Sequence, residues 1–231
     1  MITYEELLKI LRNNSDAEYR KFNSKISMIS EDKTIGVKVP VLRKIAKDIA
    51  KNGKGAMDNI CLFPNDYHEI IFIKFLVLAY CKLELCELER CLDKLLPLID
   101  NWAICDCFTA TLKIIKNQRA EFLPYIIKCI SDDREFIQRF GYICLLSHYT
   151  VPEYLQTQFD LILKSDCSKY YIHMAVAWLI AEILVKSYSE GIEFIKTCNL
   201  PKKTVNKAIQ KARESFRLTD EQKNYLKTLK K

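Results

Sequence analysis

Asp100-Asn101-Trp102-Ala103-Ile104-Cys105-Asp106 is one of four places where an aspartate, a short gap and an aromatic residue lead into an apolar helical pattern. The others are Asp66-Tyr67, Asp132-Asp133-Arg134-Glu135-Phe136, and Asp166 ahead of Tyr170-Tyr171. Successive motifs lie about 34 residues apart, close to the period at which helix pairs stack into solenoids. The pattern predicts repeated units whose second helices begin on a common edge. Outward from these motifs, Thr3-x-x-Glu6 is a capping box that opens a helix with Leu7, Leu8 and Leu11 on one side. The stretch 19–30 is only weakly amphipathic and runs into polar residues up to Thr34. Gly36 precedes Pro40, which starts a helix over 40–51, and Asn52-Gly53 ends it. Apolar helical patterns also occupy roughly 67–83, 86–98, 102–116, 121–131, 134–147, 151–163, 168–186, 189–197 and 202–215. No segment alternates with period two between hairpin turns, so strands are unsupported. The expected fold is all-α: one domain over residues 1–231, built of HEAT-like antiparallel helix pairs of about 35 to 40 residues.

Composition agrees with a helix-rich folded chain. Its 231 residues include only 5 Gly and 6 Pro, 49% are apolar and 28% charged. A stack of helix pairs can grow to this length where a single spherical core becomes awkward. The net charge of +7 suits a polyanionic partner without proving one. The amino end lacks the basic and apolar regions of a signal peptide, and the longest apolar stretch, 70–80, is interrupted by Lys74. No membrane association is expected. Ten cysteines sit largely in apolar helical runs, and Cys81, Cys86 and Cys91 walk around a helix instead of lining one face. Only Cys105-x-Cys107 is close-set, with no histidine near it. These features favour reduced core thiols and a cytoplasmic location (nucleoid-associated in a bacterium) over disulfides or a metal site. No cofactor or metal is implied, and a monomer is expected.

Three segments combine aromatic, acidic and basic residues on helices. Trp102 and Asp106, four apart, share one helix face; the ordinary reading is a core Trp and a capping or pairing Asp. Arg139 lies in Gln138-Arg139-Phe140-Gly141, where an ordinary Arg would bind an acid of the next repeat. Trp178 lies in an almost wholly apolar helix, where a Trp is by default core. Lys203, Lys207 and Lys211 are spaced by four and form a stripe that could follow phosphates or simply face solvent.

Taken together, Trp102-x-x-x-Asp106, Arg139 in Gln-Arg-Phe-Gly and Trp178 in Ala-Trp-Leu resemble the AlkD-type DNA alkylation repair family. Gly36-Val37-Lys38-Val39-Pro40-x-x-Arg43-Lys44 is similar to that family's early Gly-x-x-x-Pro-x-x-Arg signature. The resemblance runs from about residue 16 to residue 216 of the chain, across several repeats. It implies a right-handed solenoid whose concave face holds duplex DNA and excises cationic N3- or N7-alkylated purines. Asp106, Trp102 and Trp178 would then form the catalytic set, gathered on one surface with Arg139 at the phosphate backbone. Lys38, Arg43, Lys44, Lys203, Lys207 and Lys211 would contact DNA. The chain departs from the family ahead of Gly36, where members carry a helix with aromatics that press on the lesion. No aromatic follows Phe22 there, and the chain resembles a subgroup lacking that helix. Two other readings stay open: a non-catalytic module that recognises DNA structure, and a protein-binding scaffold.

Overall fold

The computed structural model describes residues 1–231 and contains fourteen α-helices and no strand. In chain order these are α1 Tyr4–Asn13, α2 Ala17–Ser27, α3 Val39–Ala50, α4 Gly53–Cys61, α5 His68–Tyr80, α6 Leu85–Leu95 and α7 Trp102–Thr111. They continue with α8 Arg119–Ile130, α9 Glu135–Cys144, α10 Leu155–Leu163, α11 Tyr170–Lys186, α12 Tyr188–Thr197, α13 Lys202–Arg213 and α14 Asp220–Thr228. The chain forms two compact units, Met1–Lys113 and Ile114–Lys231. In the first, α3 packs on α5 and α5 on α7, with α4 and α6 also against α5. In the second, α9 packs on α11 and α11 on α13, while α8, α12 and α14 lie against α9, α11 and α13 respectively. In both units every second helix stacks on the next of its row, which is the packing of an all-α helical repeat. Row helices start 29 and 34 residues apart in the first unit, and 35 and 32 apart in the second. The period is therefore shorter than the predicted 35 to 40.

The four aspartate–aromatic motifs mark the starts of row helices α5, α7, α9 and α11. In the second unit the aspartates make the local turns that release the helix: Asp132 accepts the Arg134 backbone N–H at 2.9 Å, and Asp166 that of Ser168 at 3.1 Å. Within the second unit, consecutive motifs also touch. The Phe136 and Tyr171 rings lie 4.6 Å apart, and the Glu135 carboxylate accepts the Tyr171 backbone N–H at 2.7 Å. That contact satisfies one of the first-turn donors of α11, which have no partner inside the helix.

The central helices α5 and α11 are apolar nearly all round, as a helix packed on several sides must be. Lys74, the one cation in the apolar run of α5, is 1% exposed and donates to the Phe63 carbonyl and to Asn65 Oδ1 at 2.6 Å. Burial lowers its pKa from the ordinary lysine value.

Four sequence expectations change. Helices α4 and α14 were not foreseen: α4 opens on Gly53 and holds itself by Ala56, Met57 and Ile60, and α14 is a polar helix with a capping box at Thr219 and Gln222. Helix α7 stops at Thr111 because Leu112 leaves helical geometry (φ −76°, ψ 67°), so 113–117 is a separate 3-10 turn. Ahead of Gly36, where the sequence pointed to a missing helix, α2 is present, capped by Asp16 through the Tyr19 N–H at 2.9 Å. It buries Asn23, Ser24 and Ser27 and turns Phe22 and Ile26 outward. All ten cysteines are free thiols, but Cys61 and Cys86 are exposed, so the core reading does not hold for those two. No helix is long and apolar enough to cross a membrane.

Candidate functional site

Helix α7 carries the first candidate pair. Asn101 caps it, accepting the Ile104 N–H at 3.1 Å, while its own amide donates to Asp100 at 2.7 Å. Such a cap is worth about 1 kcal/mol and fixes where the helix starts. Trp102 and Asp106 therefore stand one turn apart on a defined face, and both are half-buried. The Trp102 indole N–H donates to the Ile26 carbonyl at 3.1 Å. That oxygen belongs to the last turn of α2, where carbonyls lack helical partners, so one bond satisfies α2 and fixes the ring. The exposed side chains of Phe22 and Ile26 share the helix that holds Trp102.

Arg43 steadies the other end of α7. From α3 its guanidinium donates to Thr111 Oγ1 at 2.6 Å, to the Cys107 carbonyl at 3.3 Å and to Tyr80 Oη at 3.3 Å. A cation at the carboxyl end of a helix also complements its dipole. Lys38 pairs with Asp16 at 2.8 Å, and that hydrogen bond holds the Asp16 carboxyl below its ordinary pKa. Lys44 lines a cleft with Ile10 of α1, Asn59 of α4, and Ile2 and Asn14 on either side of α1. The three cations of the early signature thus face three different settings and do not converge.

The signature itself is held by a residue the sequence reading did not single out. Glu69, on α5 and 1% exposed, accepts the backbone N–H groups of Ile35, Gly36 and Val37 at 2.9, 2.7 and 3.2 Å. It also accepts the Thr34 hydroxyl at 2.9 Å. Gly36 is required twice over: its φ is +92°, and a Cβ there would stand 2.6 Å from Arg20 Cβ and 2.7 Å from the Asp16 carbonyl. The buried carboxylate thus sets the loop that delivers Pro40 and Arg43 to α3.

The second unit holds the remaining candidates. Arg139 is 4% exposed, donates to the Tyr171 carbonyl at 2.9 Å and lies over the Tyr171 ring at 5.9 Å. Trp178 is two helical turns further along α11. Its default reading as core does not hold, for it is 39% exposed although its neighbours Ala177 and Leu179 are fully buried. It lines an open cleft of about 390 Å³ with Leu146, Glu182, Lys211, Glu214 and Arg217. The structure therefore brings Trp178 together with Lys211. Lys211 pairs with Glu214 at 2.9 Å, Lys207 donates to Gln210 at 3.1 Å, and Lys203 is exposed. Behind this stripe His173 is buried against Thr204 Oγ1 at 3.0 Å; burial first, then Lys203 and Lys207, lower its pKa. No three His, Cys, Asp or Glu side chains are grouped to hold a metal ion. The ten expected site residues divide between the units: Trp102, Asp106, Lys38, Arg43 and Lys44 in the first, and Arg139, Trp178, Lys203, Lys207 and Lys211 in the second.

A family model described as DNA alkylation repair enzyme matches residues 7–216. The chain belongs to that family, and its role lies in DNA alkylation repair. Neither the curated proteins nor the solved structures provide a match.

Proposed function

We propose that the protein binds duplex DNA and hydrolyses the N-glycosidic bond of cationic N3- or N7-alkylpurines. The observation that carries this reading is the Trp102–Asp106 pair: an aromatic face and a carboxylate one turn apart, both half open to solvent, on a helix fixed at each end. A cationic alkylpurine is already a good leaving group, so its departure needs no general acid. Positive charge grows instead on the deoxyribose as the bond breaks. Asp106 is the catalytic residue: its carboxylate stabilises that charge and positions the attacking water. Trp102, one turn from Asp106, offers an electron-rich ring face to the cationic nucleotide, and Trp178 offers such a face in its own cleft; each contact with a cationic base is worth on the order of 0.5–2 kcal/mol. Arg139 lends positive charge near the phosphates, and Lys203, Lys207 and Lys211 meet the backbone directly, with weaker help from Lys38 and Lys44. Arg43 acts through α7 and is a positioning residue. A non-catalytic DNA-structure-binding protein would share the lysine contacts and release no base. Loss of base from methylated duplex is the deciding assay.

The lysine stripe has its own expected outcome. Neutralising Lys203, Lys207 and Lys211 together to Ala lowers the slope of log K against log salt by roughly two to three units. Titrations of an unmodified duplex at several salt concentrations measure it. An unchanged slope would return the stripe to solvated surface.

A further inference from the structure

Phe216 is the most exposed large apolar side chain in the protein, at 101% of its reference surface. It sits in the six-residue connection between α13 and α14, beyond the last turn of the lysine-bearing helix. An exposed Phe on a loose loop would mean little, but this loop is tied down on both sides of the ring. Arg217 forms a bidentate pair with Glu182 of α11 at 3.0 and 2.6 Å, and its backbone N–H donates to Ser215 Oγ at 3.2 Å. Leu218 is buried, and Thr219 closes the capping box of α14. The ring is thus presented rigidly, with both faces open. Ser215 and Arg217, its chain neighbours, line the cleft of Trp178.

Charge says what meets this ring. Residues 201–231 hold ten Lys and Arg against three Asp and Glu, whereas the rest of the chain holds 26 of each. The entire formal charge of +7 therefore lies on the segment that carries Phe216. An apolar side chain on a segment this rich in cations has the composition of a wedge, which enters a base step while the cations hold the backbone. A protein partner would have to be strongly acidic around an apolar socket. Duplex DNA supplies both features, since base faces are apolar and phosphates are anionic.

We propose that Phe216 inserts into the base stack of bound duplex DNA beside Trp178, unstacking one step and presenting the neighbouring nucleotide to the cleft. The proposal rests on the DNA-binding reading above but not on base excision. Both open faces of the ring are used, one against each displaced base. Arg217 stays on Glu182 and holds the wedge in place, and Lys211 lies in the same cleft.

The test uses the full chain and a short unmodified duplex carrying 2-aminopurine at several positions, whose fluorescence rises when it is unstacked. The wild-type protein raises the signal at saturation. Phe216→Ala keeps the thermal midpoint, since it removes only exposed surface, loses most of the fluorescence rise and binds about tenfold more weakly. Phe216→Trp restores both. The triple lysine variant, brought to saturation with more protein, gives the full rise, which separates backbone affinity from insertion. If the wild-type protein binds the duplex and Phe216→Ala matches it in affinity and fluorescence, the wedge is overturned and the DNA reading stands. A self-association that Phe216→Ala abolishes, with DNA behaviour unchanged, overturns it in favour of a protein contact. Failure of the wild type to bind duplex at low salt overturns the wedge and the DNA reading alike.

Discussion

Asp106→Asn slows release of an alkylated purine by about 100-fold or more while duplex affinity stays within about twofold of wild type. The two side chains have nearly the same shape, and Asp106 is only half-buried on the second turn of a capped helix, so the fold survives the change. What is lost is a negative charge whose largest effect comes when the sugar is most positive. Binding energy shared by ground state and transition state would weaken affinity and rate together; the predicted pattern is a rate loss alone. Trp178→Ala behaves differently. On the proposed reading its ring meets the cationic base, so removing it narrows the affinity difference between lesion-bearing and normal duplex and leaves unmodified DNA nearly unaffected. Single-turnover rates with saturating protein, set beside affinities from direct titration, separate the two effects. If Asp106→Asn is as fast as wild type, Asp106 is not the catalytic group.

The second large effect falls on stability. Glu69→Ala destabilises the protein by about 3 kcal/mol or more, because four donors of 34–37 lose their acceptor and each buried orphan costs roughly 1–3 kcal/mol before relaxation and water recover part of it. The loss is large for a carboxylate that touches no candidate site residue. It reaches α7 through a short chain: Glu69 sets the loop, the loop sets α3, and Arg43 of α3 grips the carboxyl end of α7. Glu69→Gln retains one acceptor oxygen and falls between wild type and Ala. Urea unfolding monitored by circular dichroism measures both variants. A shift under about 1 kcal/mol for Glu69→Ala would show that the loop holds its shape without the carboxylate.

The row helices were legible in sequence because their starts share a chemical need. A short polar side chain, Asn101 ahead of Trp102 or Asp166 ahead of Tyr170, accepts a backbone N–H at the turn, an aromatic follows, and the apolar run is long enough to read. The Trp102–Asp106 face was legible for the same local reason, a spacing of four on one helix. What escaped the sequence depends on partners far along the chain. The family resemblance places Arg43 and Arg139 against DNA, yet Arg43 finds Thr111, 68 residues away, and Arg139 finds the Tyr171 carbonyl, 32 away. Glu69 gives no signal of its own in the sequence, because its four donors come from 34–37, more than thirty residues away. The solvent edge of α11 was also hidden, because Trp178 and Ala177 are both apolar and only packing separates exposed from buried. Helix α14 escaped because it buries a single leucine, Leu226, so its sequence has no apolar period to read.

Release of 7-methylguanine from a methylated DNA duplex by the purified wild-type protein tests the central claim most directly. The proposed chemistry predicts free 7-methylguanine accumulating with time and protein concentration, no strand cleavage until the abasic sites are treated with alkali, and no need for any added cofactor. Tight binding to the methylated duplex with release no faster than spontaneous depurination would contradict it.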